Sequence, residues 1–521
     1  MLTPDFLEHC ADEAVKINAE LENFIIKDIA RRIVQAGVMT ETARHQIKSL
    51  QENGYLYNDI IAEIADITKQ SKTVVKQIFE DAAIKTVSYD DKIYELAGLK
   101  PTAFRESPAM MQILKTSLEK ANNDISNLIM TTAGTAESKF KEITNMAYRQ
   151  FTSGAFDYNT AIFNAVEQLA KDGINVMYPS GKLDKIDVAV RRAVLTGVSQ
   201  TANKLQDKRA DEMNCDLVEV TAHIGARVTK NLDWTNHAWW QGKVYSRSGT
   251  SKKYPSLDVT GYGKVDGLGG INCRHNKFPF IEGISKRAYT DKELKEINNK
   301  TVVYNGEKIG EYEALKIQRA KEREIREIKR TISGYQGIML GSNDENLISE
   351  ARNKFDYASY KLKNKEKELN SFIKQTGLKR DNARERVAGF DRKTSNNAIK
   401  GYKNFEKQKE YDIIISEIKK HNIRGNVSLI PENIDIEKLS FDNNHINNIR
   451  LHNVTEIEAK QFIKDAKISV STWKGKFINY YGEKGSTYVN IEKNEIRTSF
   501  KYAEYTENLK EVLEVLKKYG R

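Results

Sequence analysis

The chain has little cysteine, little proline and no long apolar run, and each shortage excludes a class of protein. Its 521 residues include three scattered cysteines, which argues against a disulfide-stabilised secreted scaffold. Only 7 prolines leave long stretches without the residue that most reliably breaks helices, so we expect mainly helix. No apolar stretch approaches the roughly 20 residues of a membrane span, and the N-terminus is acidic where a secretory signal would be basic. The sequence predicts a protein without membrane contact that assembles in a reducing cytoplasm.

The net charge of +11 is concentrated in one part of the chain. Residues 351–424 contain 20 Lys and Arg against 10 Asp and Glu, whereas the rest of the chain is nearly neutral. A local positive excess is typical of binding to a polyanion such as DNA, although a solvated charged helix is the commoner explanation. The helical patterns at 311–333 and 351–375 have thin apolar stripes, so we expect these helices to lie against partners or solvent.

The apolar pattern divides the chain into five segments. At about 150 residues per domain, the length predicts three or four domains. Apolar residues repeat at helical spacing up to about Met213, and the period falls to two at LVEVTAH, residues 217–223. The first segment has the pattern of short helices, one from Thr40 to Asn53 and another after Ser71. The segments are an N-terminal helical domain (1–100), a helical domain with a long helix (101–216), a domain of short strands and loops (217–290), a charged helical connector that is basic from residue 351 (291–424), and a C-terminal α+β domain (425–521).

The last segment has the pattern of a small, separate domain. Thr455 and Glu458 form a capping box at the start of a helix. Three alternating runs, KFINYYG, STYVNIE and EIRTSFKY, predict an antiparallel meander, and a final helix ends at Gly520. The predicted fold class is therefore a multidomain chain that is mainly α-helical in its first two thirds, with a small irregular β-containing region and a C-terminal α+β domain.

Several long strings resemble one family of phage proteins. They include FIIKDIARRIVQAGVMTETARHQIKSLQENGYLYNDII, KIDVAVRRAVLTGVSQTANKLQDKRADEMNCDLVEVTAHIGAR and NCRHNKFPFIEGISKRAYT, in this order. Over residues 1–335 the chain resembles the phage minor capsid protein 2 family, with a middle part similar to a head-morphogenesis domain. The resemblance implies a structural protein of a tailed phage of Gram-positive bacteria, assembled in the host cytoplasm and placed in the virion near the portal. Portal and capsid proteins are then its expected partners, and phage DNA is the expected partner of residues 351–424.

Three histidines and one cysteine in the middle segment are candidate zinc ligands. They are His223, His237, Cys273 and His275. Imidazole and thiolate suit zinc, and a Cys-x-His pair can bind it from one loop. However, the spacing matches no common zinc finger, and members of the resembled family tend to have a cysteine near Gly269, where this sequence reads GLGGINCRH. We therefore predict no cofactor, and zinc binding remains the alternative to a purely structural role for these side chains.

The C-terminal segment resembles a second group of proteins. The string NNHINNIRLHNVTEIEAKQFIKDA, followed by STWKGKFINYYGEKGSTYVNIEKNEIRTSF, is similar to phage-borne members of the barnase, EndoU, colicin and RelE-like ribonucleases. Toxin-like domains of this kind are found fused to the ends of phage minor head proteins. The resemblance implies a metal-independent endoribonuclease effector with RNA as its substrate, a Ser or Thr of the terminal strand in its site, and room for an immunity protein as a partner.

Histidines and cations of this segment are the candidate catalytic residues. Metal-free RNA cleavage needs a group that takes the ribose 2′-OH proton, a group that protonates the leaving 5′ oxygen, and cations beside the phosphorane. Histidine suits either proton role, and two of the 8 histidines stand within eight residues here. Alternation in EIRTSFKY places Arg497 and Ser499 on one face and Thr498 on the other. The predicted catalytic residues are His445, Arg450, His452, Lys474, Arg497, Thr498 and Ser499.

Three functional hypotheses follow from these observations. The leading one is a phage minor capsid protein that carries a C-terminal ribonuclease effector. The alternative is a wholly structural minor head protein, whose C-terminal domain binds portal, capsid or DNA without catalysis and whose His445 and His452 only make loop or capping hydrogen bonds. The third is a zinc hydrolase centred on His223 and Cys273.

Overall fold

A computed structural model describes residues 1–35, 55–178, 180–387 and 390–521. Within these ranges the chain forms two compact units, Met1–Tyr402 and Lys403–Arg521. The described part of the chain contains no helix that is both long and apolar enough to cross a membrane. The structure is mainly helical, as the scarcity of proline predicted, and multidomain, as the length predicted. The finer division into five segments stays a prediction.

Long helices build the first unit. The helices are α1 Pro4–His9, α2 Asp12–Gln35, α3 Tyr55–Leu96, α4 Pro108–Thr152, α5 Tyr158–Asp172, α6 Ile186–Glu212, α7 His237–Trp240, α8 Asp291–Asn298, α9 Glu311–Gly341, α10 Glu345–Thr376 and α11 Arg392–Lys419, the last of which continues into the second unit. Two antiparallel strand pairs accompany them. These are β1 (Asn175–Met177) with β2 (Leu183–Lys185), and β6 (Thr301–Tyr304) with β7 (Glu307–Gly310).

The first 100 residues contain longer helices than the sequence pattern predicted. Helix α3 runs over 42 residues, because no glycine or proline interrupts it. Ser71, expected just before a helix, lies inside α3 and is buried, and its hydroxyl accepts a hydrogen bond from the Asn18 amide at 3.0 Å. The expectation of short helices is therefore wrong for α3, and the predicted helix from Thr40 to Asn53 lies outside the described residues.

The charged helices α9 and α10 pack into the main core of the first unit. Each buries one apolar stripe, which consists of Ile325, Ile332 and Ile338 on α9 and of Leu362, Leu369 and Phe372 on α10. Ion pairs three residues apart, such as Arg319 with Glu322 at 2.8 Å, accompany these stripes. The expectation that these helices lie against partners or solvent is wrong for their apolar faces, because a narrow stripe is sufficient where a neighbouring helix covers it.

Glycines allow α9 to approach α2 closely. A β-carbon added to Gly337 would lie 2.7 Å from the backbone oxygen of Lys27 and 2.8 Å from the β-carbon of Ala30. Gly341, one turn further along α9, stands equally close to the backbone of Arg31. A backbone cannot move aside as a flexible side chain can, so this helix contact requires glycine.

We expect Gly337→Ala to lower the free energy of unfolding by about 1–3 kcal/mol, the usual cost of overpacking. Gly134→Ala in α4 is the matched control, because nothing lies within 4 Å of a β-carbon added there. Gly134→Ala should therefore raise the free energy of unfolding by about 1 kcal/mol, because alanine has a higher helix propensity than glycine. Urea unfolding followed by circular dichroism measures both variants, and a loss of stability in Gly134→Ala as large as in Gly337→Ala would contradict the close helix approach.

Residues 217–290 combine a small sheet with long loops. Strand β3 (Leu217–Val220) lies between β4 (Val244–Ser246) and β5 (Lys277–Pro279) and is antiparallel to both. The buried members of its core are Val218, Val220, Trp240, Tyr245, Leu257, Leu268 and Cys273. Polar contacts supplement this small core, since the buried Lys277 ammonium donates to Asn203 Oδ1 at 3.0 Å and to the Tyr262 hydroxyl at 2.9 Å.

The second unit is built on a six-stranded sheet. Its strands are β8 Asn426–Ser428, β9 Ser440–Phe441, β10 Ile468–Thr472, β11 Phe477–Tyr481, β12 Gly485–Asn490 and β13 Glu495–Lys501. Their order in the sheet is β8-β10-β11-β12-β13-β9, and only β9 pairs with its neighbour in parallel. The three predicted strands are β11, β12 and β13, whereas β8, β9 and β10 were not predicted.

Helices cover both faces of this sheet. Helix α12 (Glu456–Lys464) begins with the predicted capping box of Thr455 and Glu458 and packs on the face that carries Ile478, Val489 and Ile496. The other face packs against α13 (Glu507–Lys518) and the end of α11. Its buried residues include Ile414, Ile418, Val470, Val512 and Leu513.

A β-bulge at Arg497 changes the alternation of side chains in β13. Tyr488 pairs with Thr498 and Val489 with Ile496, so no residue of β12 lies opposite Arg497. Ser499 therefore faces α12, where its hydroxyl bonds to that of Thr487 at 2.9 Å. The prediction that Arg497 and Ser499 share a face is wrong, because the extra residue shifts the alternation by one position.

Candidate functional site

His452 and Glu504 form a hydrogen-bonded pair at the C-terminal end of β13. His452 Nδ1 lies 2.8 Å from Glu504 Oε2, and the imidazole lies 5.5 Å from the Phe500 ring, centroid to centroid. The side chains are 19% and 37% exposed, respectively, so solvent and a substrate can reach them. A carboxylate beside Nδ1 keeps the imidazole proton on that nitrogen. Nε2 then has a lone pair that can accept a proton from a substrate. The pair is thus a candidate proton carrier.

The backbone around His452 has an uncommon conformation. Leu451 and Asn453, on either side of it, have φ angles of 61° and 47°, in the left-handed region. Asparagine tolerates this region, but leucine seldom adopts it. Leu451 is also 77% exposed, so packing of its side chain does not explain the conformation. Such strain is typical of segments that hold a side chain for function.

His445 and Arg450 form a separate pair. His445 lies in the π-helical turn Asn444–Ile449, and its Nε2 accepts a hydrogen bond from Arg450 Nε at 3.0 Å. Arg450 is exposed and His445 is half-buried. Because Nε2 is the acceptor here, Nδ1 carries the proton of the ring. Each predicted histidine thus has its own charged partner.

The predicted cations lie nearer the other end of β13. The Arg497 guanidinium stands 4.8 Å above the Phe477 ring and is exposed. Lys474 is exposed in the turn between β10 and β11. Arg497 and Phe500 are three residues apart, or roughly 10 Å along the strand. His452, beside Phe500, and Arg497, over Phe477, therefore lie by the same sheet face towards opposite ends of β13, and Lys474 lies in the turn nearer the Arg497 end.

The two hydroxyl residues of β13 have different surroundings. Ser499 is fully buried, and its hydroxyl donates to the backbone oxygen of Ser486 at 3.0 Å, so the side chain is committed to the sheet. Thr498 Oγ1 is buried and has no hydrogen-bond partner among the described residues. Thr498 lies between Arg497 and Phe500 on the strand and is the better placed of the two for a role in binding.

Sequence analysis missed Glu504 and Phe477, which complete this area. Glu504 is 52 residues from His452, and Phe477 lies two strands away from Arg497. No local spacing connects residues at such separations, and only the sheet brings them together. Alternation alone could have placed Phe477 and Tyr481 on one face.

In the first unit, the fold brings together three of the four candidate zinc ligands. His237, Cys273 and His275 are buried, and one ligand atom of each lies within 4.8 Å of the others. His223 stands beside them, with its ring centroid 4.4 Å from that of His275. Burial lowers the pKa of His223 to about 3 and of His237 to about 4, and it also lowers the pKa of His275. The rings are therefore neutral near pH 7, the form in which imidazole binds metals.

The fold and these sites define a class, namely a helical multidomain structural protein with a small α+β unit at its C-terminal end. A model of the family described as "Phage minor capsid protein 2" matches residues 2–374. The chain therefore belongs to the phage minor capsid protein 2 family and is a structural component of a phage particle.

Two relatives are each named "Structural protein" of a Lactococcus phage. The protein of phage LL-H is 23% identical over 315 residues, which cover 57% of this chain and 75% of that protein. The protein of phage mv4 is 34% identical over 77 residues, which cover 15% of this chain and 54% of that protein. No solved structure matches the chain. The resemblance to the minor capsid family is thus confirmed, and the ribonuclease resemblance of the C-terminal segment stays a prediction.

Proposed function

We propose that the first unit holds this minor capsid protein in the phage head near the portal, and that the second unit cleaves RNA. The family match, residues 2–374, lies within the first unit and supports the position in the head. The proposed activity depends on one observation, the His452–Glu504 pair beside the sheet face that carries Arg497 and Thr498.

The proposed reaction is a transesterification within RNA. His452 Nε2 takes the proton of a ribose 2′-OH, the 2′ oxygen bonds to phosphorus, and the bond from phosphorus to the 5′ oxygen breaks. Glu504 orients the imidazole and stabilises the imidazolium that forms. Arg497 and Lys474, towards the other end of β13, offer positive charge to neighbouring phosphates of the RNA chain. The departing 5′ oxygen takes its proton from solvent, and the products end in a 2′,3′-cyclic phosphate and a 5′-hydroxyl.

Incubation of the full chain with total bacterial RNA in EDTA tests this activity. We expect fragments that end in a cyclic phosphate, because none of the proposed steps uses a metal. RNA that stays intact would favour the alternative, in which the second unit binds portal, capsid or DNA without catalysis.

We further propose that the basic segment, residues 351–424, contacts packaged DNA. Its excess positive charge is accessible, since lysines of α10 and α11 have exposed side chains. Four of those within the first unit are Lys361, Lys363, Lys393 and Lys400. Exposed lysines bind phosphate as point charges and read no base sequence, which suits a protein that meets packaged DNA of any sequence.

We expect the full chain to bind duplex DNA with an affinity that falls linearly on a log–log plot as salt rises, because neutralised phosphates release counterions. Replacement of these four lysines by alanine should reduce the slope by about one for each phosphate that is no longer neutralised. The matched control replaces four exposed lysines of α3, which are Lys69, Lys72, Lys76 and Lys92. Fluorescence anisotropy at several salt concentrations measures the slopes, and equal slopes in both variants would show that the segment is a solvated helix.

A further inference from the structure

His237, Cys273 and His275 join two segments of the chain that are far apart in sequence. His237 begins α7, whereas Cys273 and His275 lie in the loop before β5. The three side chains are 3%, 1% and 0% exposed, respectively. We propose that they bind a zinc ion, which fixes α7 to this loop in a region whose apolar core is small.

The distances within the cluster agree with a tetrahedral zinc site. Zinc bonds of about 2.3 Å to sulfur and about 2.0–2.1 Å to nitrogen place neighbouring sulfur and nitrogen ligands about 3.6 Å apart, and two bound imidazole centroids about 5 Å apart. Cys273 Sγ lies 3.6 Å from His275 Nδ1. The ring centroids of His237 and His275 lie 5.3 Å apart. The ligand atom of His237 lies within 4.8 Å of those of Cys273 and His275, so the ring would move inward by at most about 1.4 Å to complete the site.

Hydrogen bonds behind the two imidazoles direct their lone pairs into the cluster. Nε2 of His275 bonds to Gln241 Oε1 at 2.8 Å, and Nε2 of His237 bonds to the backbone oxygen of Asp266 at 2.8 Å. Because both partners are oxygen acceptors, each Nε2 carries the proton and each Nδ1 has the lone pair. Metal-binding histidines in proteins are oriented by such outer hydrogen bonds.

The orientation of the Gln241 amide is itself fixed by its other contacts. Its oxygen also accepts the backbone N–H of His223 at 3.0 Å, and its NH₂ group donates to Asn298 Oδ1 at 2.6 Å. An oxygen that accepts two hydrogen bonds cannot be exchanged for the NH₂ group without loss of both. The proton of His275 is therefore held on Nε2 by a network and not by one adjustable contact.

His223 lies next to the site without being a ligand in this proposal. Its ring is tilted by 32° to that of His275 and covers its face. A metal bound at His275 Nδ1 would lie in the plane of that ring and not over its face. Zinc then has three protein ligands.

Metal analysis of the full chain, purified from zinc-supplemented cells without chelators, tests the proposal. We expect about one zinc per chain, the stoichiometry of a single site. Cys273→Ser and His275→Gln should lose nearly all of it. Cys215→Ser is the matched control, because Cys215 is a half-buried cysteine outside the cluster whose thiol donates to the backbone oxygen of Leu217, and it should keep the zinc.

Cobalt substitution provides a readout that does not depend on the folding of a variant. The wild-type chain loaded with Co²⁺ should show the spectrum of a tetrahedral site with a thiolate-to-cobalt charge-transfer band. A wild-type chain that takes up neither zinc nor cobalt, or a cobalt spectrum without the thiolate band, would overturn the proposal. Equal zinc content in Cys273→Ser and Cys215→Ser would overturn it as well.

Discussion

His452→Ala should lower the rate of RNA cleavage by about 10²-fold or more, the usual effect of removing a general acid or base. The pair with Glu504 gives His452 a defined tautomer and leaves Nε2 for the substrate. The side chain is partly exposed, so its loss should leave the fold intact. Rates measured with a labelled oligoribonucleotide in EDTA, together with circular dichroism of the variant, test this expectation.

The second unit contains a matched control for this experiment. His421 Nδ1 lies 2.7 Å from Glu511 Oε2, so it is also paired with a glutamate. His421→Ala should keep the full rate, whereas Glu504→Gln should lose part of it because the imidazolium is no longer stabilised. Cleavage that survives loss of both His445 and His452 would not come from the proposed site, and the proposal of a histidine-dependent ribonuclease would then be wrong.

Glu8→Gln should lower the free energy of unfolding by about 3 kcal/mol at pH 7. The Glu8 carboxylate, only 14% exposed, lies 2.8 Å from Arg274 and 2.7 Å from Arg319 and also bonds to Arg384. Burial alone would raise its pKa, but the three guanidiniums outweigh burial and lower the pKa from 4.5 to about 2. The variant would leave three cations without their common partner.

The same carboxylate predicts a pH dependence with a definite sign. Because the pKa of Glu8 is lower in the folded chain, the carboxylate stabilises the fold fully above pH 4.5, and this contribution is lost as the pH falls towards 2. Urea unfolding at pH 7 and near pH 3 should show a smaller difference between the variant and the wild type at the lower pH. Glu13→Gln is the control, since Glu13 is 54% exposed and forms a surface pair with Lys16. A Glu8 variant as stable as the Glu13 variant at pH 7 would contradict this account.

Features of the fold that depend on neighbouring residues could be predicted from the sequence. The capping box of Thr455 and Glu458 is present as expected, and α5 ends at Gly173, whose φ of 63° suits glycine. The long helix α6 covers Ile186–Glu212, and its end agrees with the end of the helical period expected at about Met213. In each case the signal lies within one or two helical turns, where spacing and geometry are directly related.

Features that depend on distant residues could not be predicted. Alternation of side chains predicted that Arg497 and Ser499 share one face of β13. It could not reveal the β-bulge, because a bulge is defined by the pairing of β12 with β13. The spacing of His237, Cys273 and His275 matches no short motif, since the loops that bring them together are long. Glu504 was missed as the partner of His452 for the same reason. Pattern analysis thus identified most candidate residues but not the neighbours that give them a chemical role.

Helix α11 determines how this protein can be divided into fragments. Ile414 and Ile418, near its C-terminal end, are completely buried in the same core as Val512 and Leu513 of α13. A fragment that begins at residue 425, where the sequence places the domain boundary, would lack both isoleucines and leave an apolar surface in water. Such a fragment would tend to aggregate, and its lack of activity would say nothing about the intact chain.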